Sequence, residues 1–166
     1  MRDFEMKRLI SGKHTGFGKH AFVGAALLAL TLALPQLAMA GDTKSPPGAT
    51  QYFVTLADGA VVSSPLKVVF GLSGMGVAPA GVEVENTGHH HLLIDRPPLG
   101  QGEDGADEFD SNLIADEHNV HFGKGQTETV IELAPGRHTL QLVLGDADHI
   151  PHDPPVMSAV ITVTVE

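Results

Sequence analysis

Leu66-Lys67-Val68-Val69-Phe70-Gly71-Leu72-Ser73 decides the fold class, because Leu66, Val68, Phe70 and Leu72 are apolar and fall on every second position. Successive side chains of a strand point to opposite faces, so this alternation predicts a strand with one covered face. Working outward, the same period recurs in Gln51–Leu56, Ala60–Val62, Gly81–Asn86, His89–Asp95, Thr127–Leu133, Arg137–Leu144 and Met157–Val165. Gly, Pro and Asp bound these runs, as turn residues bound strands. No convincing amphipathic helix and no internal repeat interrupts them. The expected fold is all-β, an antiparallel immunoglobulin-like β-sandwich of seven or eight strands. It occupies residues 51–166 as a single domain, after a flexible lead-in over 41–50 (Gly41 to Ala49 reads GDTKSPPGA).

One long segment breaks the rhythm. Over 96–125, Pro97-Pro98 stops a strand, and Glu103, Asp104, Asp107, Glu108 and Asp110 follow among glycines. This reads as a long, acidic, solvated loop, with a short helical turn expected within Asn112–His121. Loops of such length inside a compact domain are usually functional or disordered.

The first forty residues have the order of a secretory signal. Arg2, Lys7, Arg8, Lys13 and Lys19 form a basic leader, Ala21–Leu34 an apolar run, and Ala38-Met39-Ala40 a small-x-small cleavage site. The apolar run is short for a membrane span of about 20 residues. A signal peptide over 1–40 implies a periplasmic or secreted protein with no membrane contact after cleavage, and it removes His14 and His20 from the chemistry. Five of the ten Lys/Arg and two of the twenty Asp/Glu lie in that leader, so the remainder carries 5 basic and 18 acidic residues, a formal charge of −13. Such a surface excludes nucleic acid, whose phosphates need basic neutralisation, and attracts cations. With no cysteine, disulfide staples and thiolate zinc sites are excluded, which leaves nitrogen, oxygen and thioether ligands.

Histidine is where the chemistry concentrates. Eight of the ten histidines lie beyond residue 88, and His89-His90-His91, the pair His118 and His121, and the pair His149 and His152 form three groups. Imidazole is the commonest protein ligand for zinc, copper, nickel and iron. His89 and His91 share one side of a strand, about 7 Å apart at Cα. His90 has the parity of Leu92 and Ile94, which makes it an inward, structural histidine. His118 and His121 would share a face on a helical turn. His149 and His152 sit in a loop stiffened by Pro151, Pro154 and Pro155, whereas His138 opens an apolar strand and reads as structural. The six candidate metal ligands are therefore His89, His91, His118, His121, His149 and His152. Met75, in a glycine-flanked loop, and Met157 are candidate thioethers, although methionine in a β-domain is more often core filler.

Enzyme motifs fail on inspection. Asp116-Glu117-His118 lacks the first histidine of the zinc-protease pattern, Gly71-Leu72-Ser73-Gly74-Met75 lacks the last glycine of a nucleophile elbow, and Gly123-Lys124-Gly125 lacks phosphate-loop spacing. The acidic segment lacks the EF-hand pattern. A metal enzyme needs an open coordination position, and the sequence shows none.

Four strings in order, Leu72-Ser73-Gly74-Met75-Gly76-Val77-Ala78-Pro79-Ala80-Gly81, Gly88-His89-His90-His91-Leu92-Leu93-Ile94-Asp95, His121-Phe122-Gly123-Lys124-Gly125-Gln126-Thr127-Glu128 and Leu142-Val143-Leu144-Gly145-Asp146 with the following His149, His152 and Pro154-Pro155, resemble a family of short exported bacterial proteins catalogued as a domain of unknown function. The resemblance spans nearly all of Gln51 to Val165 and implies an exported, single-domain, all-β protein without implying an activity. The functional expectation is a histidine-rich metal-binding protein of the bacterial periplasm, with a copper ion favoured and zinc as the alternative. A second expectation is a non-catalytic envelope module that partners other envelope proteins and uses its histidines structurally or as pH sensors.

Overall fold

The computed structural model describes residues 41–166; the signal peptide expected over 1–40 lies outside the described residues. Strand β3 (Leu66–Ser73) forms where the alternation places it, with Leu66, Val68 and Phe70 buried and Lys67 exposed. β1 (Thr50–Phe53) and β7 (Glu128–Ile131) pair antiparallel with its two edges, making a three-stranded sheet. The second sheet has six strands. β2 (Ala60–Val62), β9 (Ile161–Val165), β8 (Gly136–Gly145), β5 (Thr87–Ile94) and β4 (Gly76–Val77) follow in that order, and β6 (Asn119–His121) also pairs with β5.

The two sheets meet through one apolar core. Leu66, Val68 and Phe70 of β3 face Leu92 and Ile94 of β5, Leu140 and Leu142 of β8, and Ile161 and Val163 of β9, with Phe122 completing the cluster. Burying each such side chain contributes about 1.5–3 kcal/mol, so a domain without disulfides stands on this layer. The fold is all-β, as the alternation implies. The described residues form nine strands where seven or eight are expected, and two short parallel pairs, β2–β9 and β4–β5, make the large sheet mixed instead of purely antiparallel.

Other departures have physical reasons. Gly81–Asn86 alternates valine with glutamate yet forms no strand, and all six residues are exposed. No neighbour covers Val82 and Val84, and alternation without a covering layer does not make a strand. Within the long segment, the helical turn lies earlier than expected, at Gly105–Asp110, and the part read as a turn contains β6 instead. The segment is also more than a solvated loop. Leu99 and Leu113 pack with Leu93 and Val143 on the outer face of the large sheet, with Phe109 and Met157 alongside. An Arg96–Glu108 ion pair pins it, and Glu108 Oε2 also accepts from the Gly100 amide at 2.7 Å. β5 is consequently covered on both faces, with seven of its eight residues buried. The lead-in, expected to be flexible, is tied along the domain: Ser45 N donates to Asp153 O (3.0 Å), Asp153 N to Thr43 O (2.9 Å), and Lys44 pairs with the Asp153 carboxylate. Among the described residues no helix is long and apolar enough to cross a membrane.

Candidate metal centre

β5 runs between β8 on one side and β4 and β6 on the other, and this central position builds the site. The parity expected from sequence holds. His90 faces the inter-sheet core, where its Nδ1 lies 3.0 Å from Gln51 Oε1 and its ring centroid 5.0 Å from that of Phe70. Gln51 Nε2 donates to Val156 O at 3.1 Å, which leaves Oε1 as acceptor and makes His90 Nδ1 the donor. Burial holds the His90 pKa down at about 4, so the ring is a neutral, structural one.

His89 and His91 point the other way. They sit opposite Gly145 and Val143 of β8, and His91 is also opposite His121 of β6. One sheet therefore delivers three imidazoles to its outer face. The fourth comes from a hairpin: β8 ends at Gly145, Asp146 N donates to Ile150 O (2.9 Å), and the tip residue His149 has φ +70°. The left-handed region is uncommon for a residue with a Cβ, and it turns the tip ring back over the strands.

The four rings of His89, His91, His121 and His149 form one cluster. Ring centroids are 4.9 Å apart for His89–His121 and His89–His149, 5.0 Å for His89–His91, 5.1 Å for His91–His121, 4.7 Å for His121–His149 and 6.0 Å for His91–His149. One nitrogen from each of His89, His91 and His121 lies within 4.8 Å of the other two, a separation that a single bound ion can span at about 2.0–2.1 Å per nitrogen. His91 Nε2 and His89 Nε2 approach to 3.1 Å.

The hydrogen bonds around the cluster fix what it offers. His91 Nδ1 lies 3.1 Å from Asn119 Oδ1, and Asn119 Nδ2 donates to Ile114 O at 2.9 Å. The second bond sets the amide so that its oxygen faces His91, whose Nδ1 then carries the proton and whose Nε2 presents a lone pair. An outer partner of this kind orients a metal-binding histidine. Among the described residues, His89 Nδ1 and His121 Nε2 in the cluster, and His90 Nε2 in the core, are buried with no hydrogen-bond partner. An unsatisfied buried polar atom costs about 1–3 kcal/mol, and bonding to a ligand would offset that cost. Burial, then the neighbouring His149 and His121, lowers the His89 pKa to about 4, against a smaller opposing effect of Asp146. Burial, then His89, lowers that of His91 to about 3, and burial followed by His149 lowers that of His121. Neutral imidazole is the metal-binding form.

Glycines keep the space open. A Cβ on Gly145 would stand 3.1 Å from His91 Nε2, and one on Gly123 would stand 2.3 Å from His121 Cε1 and 2.4 Å from its Nε2. Gly123→Ala is expected to push the His121 ring aside and weaken metal affinity about tenfold, equivalent to about 1.4 kcal/mol. Titration against a competing chelator measures it, and unchanged affinity would remove His121 from the site.

Of the six expected ligands, the structure brings together His89, His91, His121 and His149 and leaves out His118 and His152. On a strand, residues three apart point to opposite sides, so the expected pairing of His118 with His121 fails once β6 forms. His118 instead bonds Ile94 O through Nδ1 at 2.9 Å, with its side chain half-exposed. His152 is fully buried between strands, with Nε2 3.2 Å from Thr87 O and Nδ1 3.4 Å from Leu144 O. His138 is structural as expected. It bridges Asp95 Oδ2 (2.6 Å) and Ala134 O (2.8 Å), and the hydrogen bond to Asp95 raises its pKa. Met157 packs in the outer core and takes a 3.6 Å contact from Gln141 Nε2, as core filler does. Sequence reading missed Asn119 and Asp146. Asn119 shares strand parity with His121, a signal that the helical reading of this stretch concealed.

The chain belongs to the family described as Domain of unknown function (DUF4399), whose model matches residues 68–166. The match contains all four clustered histidines together with Asn119 and Asp146. No curated protein and no solved structure matches the chain.

Proposed function

We propose that this member of the DUF4399 family is an exported metal-binding protein, in which His89, His91, His121 and His149 hold one transition-metal ion, copper before zinc. The observation that carries this reading is the convergence of four imidazoles from three chain segments, β5, β6 and the hairpin after β8. His91 binds through Nε2, because Asn119 occupies its Nδ1. A set of nitrogens with neither thiolate nor carboxylate suits copper or zinc, and divalent copper outranks zinc in affinity for such donors. The periplasmic assignment rests on the leader.

The test is elemental analysis of the purified, untagged protein, followed by calorimetric titration of a chelator-stripped sample with Cu²⁺ and Zn²⁺. One equivalent bound with sub-micromolar affinity is the expected result. No binding of either ion would overturn the reading and direct attention to envelope protein partners and to histidines as pH-responsive struts.

A further inference from the structure

Asp146 is the charged group that the four-histidine cluster does not account for. It follows Gly145, whose Cα pairs with His89, and it is only 7% exposed. Its Oδ1 accepts from the amides of Asp148 (2.9 Å) and Ile150 (3.0 Å), and its Oδ2 from the Thr43 hydroxyl (2.6 Å). All three donors are neutral, and among the described residues no Lys, Arg or His forms an ion pair with it. Buried charges in proteins are ordinarily paired or sit beside a metal. The neighbouring cluster is equally one-sided, because a donor set of imidazole nitrogens alone leaves the charge of a bound dication uncompensated.

We propose that Asp146 is the counter-charge and the positioning residue of the metal centre, favouring divalent over monovalent ions. This rests on the metal-binding reading above. The carboxylate acts twice. It closes the hairpin that presents His149, since its two amide bonds span a tip where the Asp146 backbone carbonyl also accepts from His149 N at 3.1 Å. It also puts a negative charge on the residue next to Gly145, the partner of His89, and the attraction of that charge for a bound ion scales with the ion's charge. Thr43, in the lead-in, ties the same carboxylate to the start of the domain.

Two substitutions separate charge from scaffold. Asp146→Asn keeps an oxygen acceptor for the two amides and removes the charge, whereas Thr43→Val removes the hydroxyl donor and keeps the charge. Affinities for Cu²⁺ and Ag⁺ are measured by chelator competition on the full, leader-processed protein. Because the Coulomb energy of a monovalent ion is half that of a divalent one, Asp146→Asn should weaken Cu²⁺ about tenfold and Ag⁺ only about threefold. Thr43→Val should weaken both ions by the same factor. Equal losses for the two ions in Asp146→Asn would reduce Asp146 to a scaffold residue, and a Cu²⁺ affinity within about twofold of the parent would overturn the proposal altogether. If the unsubstituted protein binds neither ion, the metal-binding reading itself fails; if it binds both and the variant matches it, only the role of Asp146 fails.

Discussion

Replacing His89 and His91 together with alanine is expected to abolish stoichiometric metal binding, with affinity falling at least a hundredfold. The two residues supply the pair of nitrogens 3.1 Å apart and, of the four clustered histidines, are the two on a strand paired along both edges. Each lost ligand costs on the order of tenfold or more, by analogy with the 10–100-fold cost of losing even an outer partner. His118→Ala is the matched control. It removes a histidine that sequence spacing nominates but whose ring is engaged with Ile94 O, so its affinity should stay within about twofold of the parent. Calorimetry on both variants, with circular dichroism to confirm the fold, checks the pair of results. Retention of tight binding by the double variant, or its loss in His118→Ala, would move the site elsewhere.

The second large effect is acid lability of the metal-free protein. The native pKa of His90 lies at about 4 against 6.5 in the unfolded chain, and burial lowers His89 and His91 in the same direction. Between those values the unfolded state binds more protons than the native state. The stabilising contribution is therefore fully present above about pH 6.5 and is lost as the pH falls toward 4. For His90 alone, fully buried as it is, the loss is on the order of 3 kcal/mol. With His89 and His91 added, the total is a large part of the 5–15 kcal/mol typical of a domain. His138 works with the opposite sign. Its raised native pKa contributes stability present below about pH 6.5 and lost as the pH rises through that native value, and its partly exposed pair with Asp95 is worth no more than about 1 kcal/mol. Urea unfolding at pH 7 and pH 4.5 should show a fall of several kcal/mol, flattened in His90→Leu. A profile level within about 0.5 kcal/mol would contradict the neutral, buried state of these rings.

Sequence by itself determined the fold class and the division of labour along β5. The period-two runs of β3, β5, β8 and β9 specify strands because each buries one face on a common core, and that requirement is written residue by residue. The same parity separates His90 from His89 and His91 without reference to any other segment. Composition likewise restricted the chemistry, since a chain without cysteine and with histidines in close groups has few metal-ligand sets available. Tertiary structure decided the rest, because it depends on which segments become neighbours. Val82 and Val84 alternate like a strand and yet stay exposed, since burial is a property of the partner and not of the pattern. His118 and His152 have the spacing of ligands but sit against backbone carbonyls of β5 and β8 instead. His121 joins His89 because β6 pairs with β5, and His149 joins them because Asp146 folds the hairpin over the sheet. Local period fixes which way a side chain points; only strand pairing and hairpin closure fix what it points at.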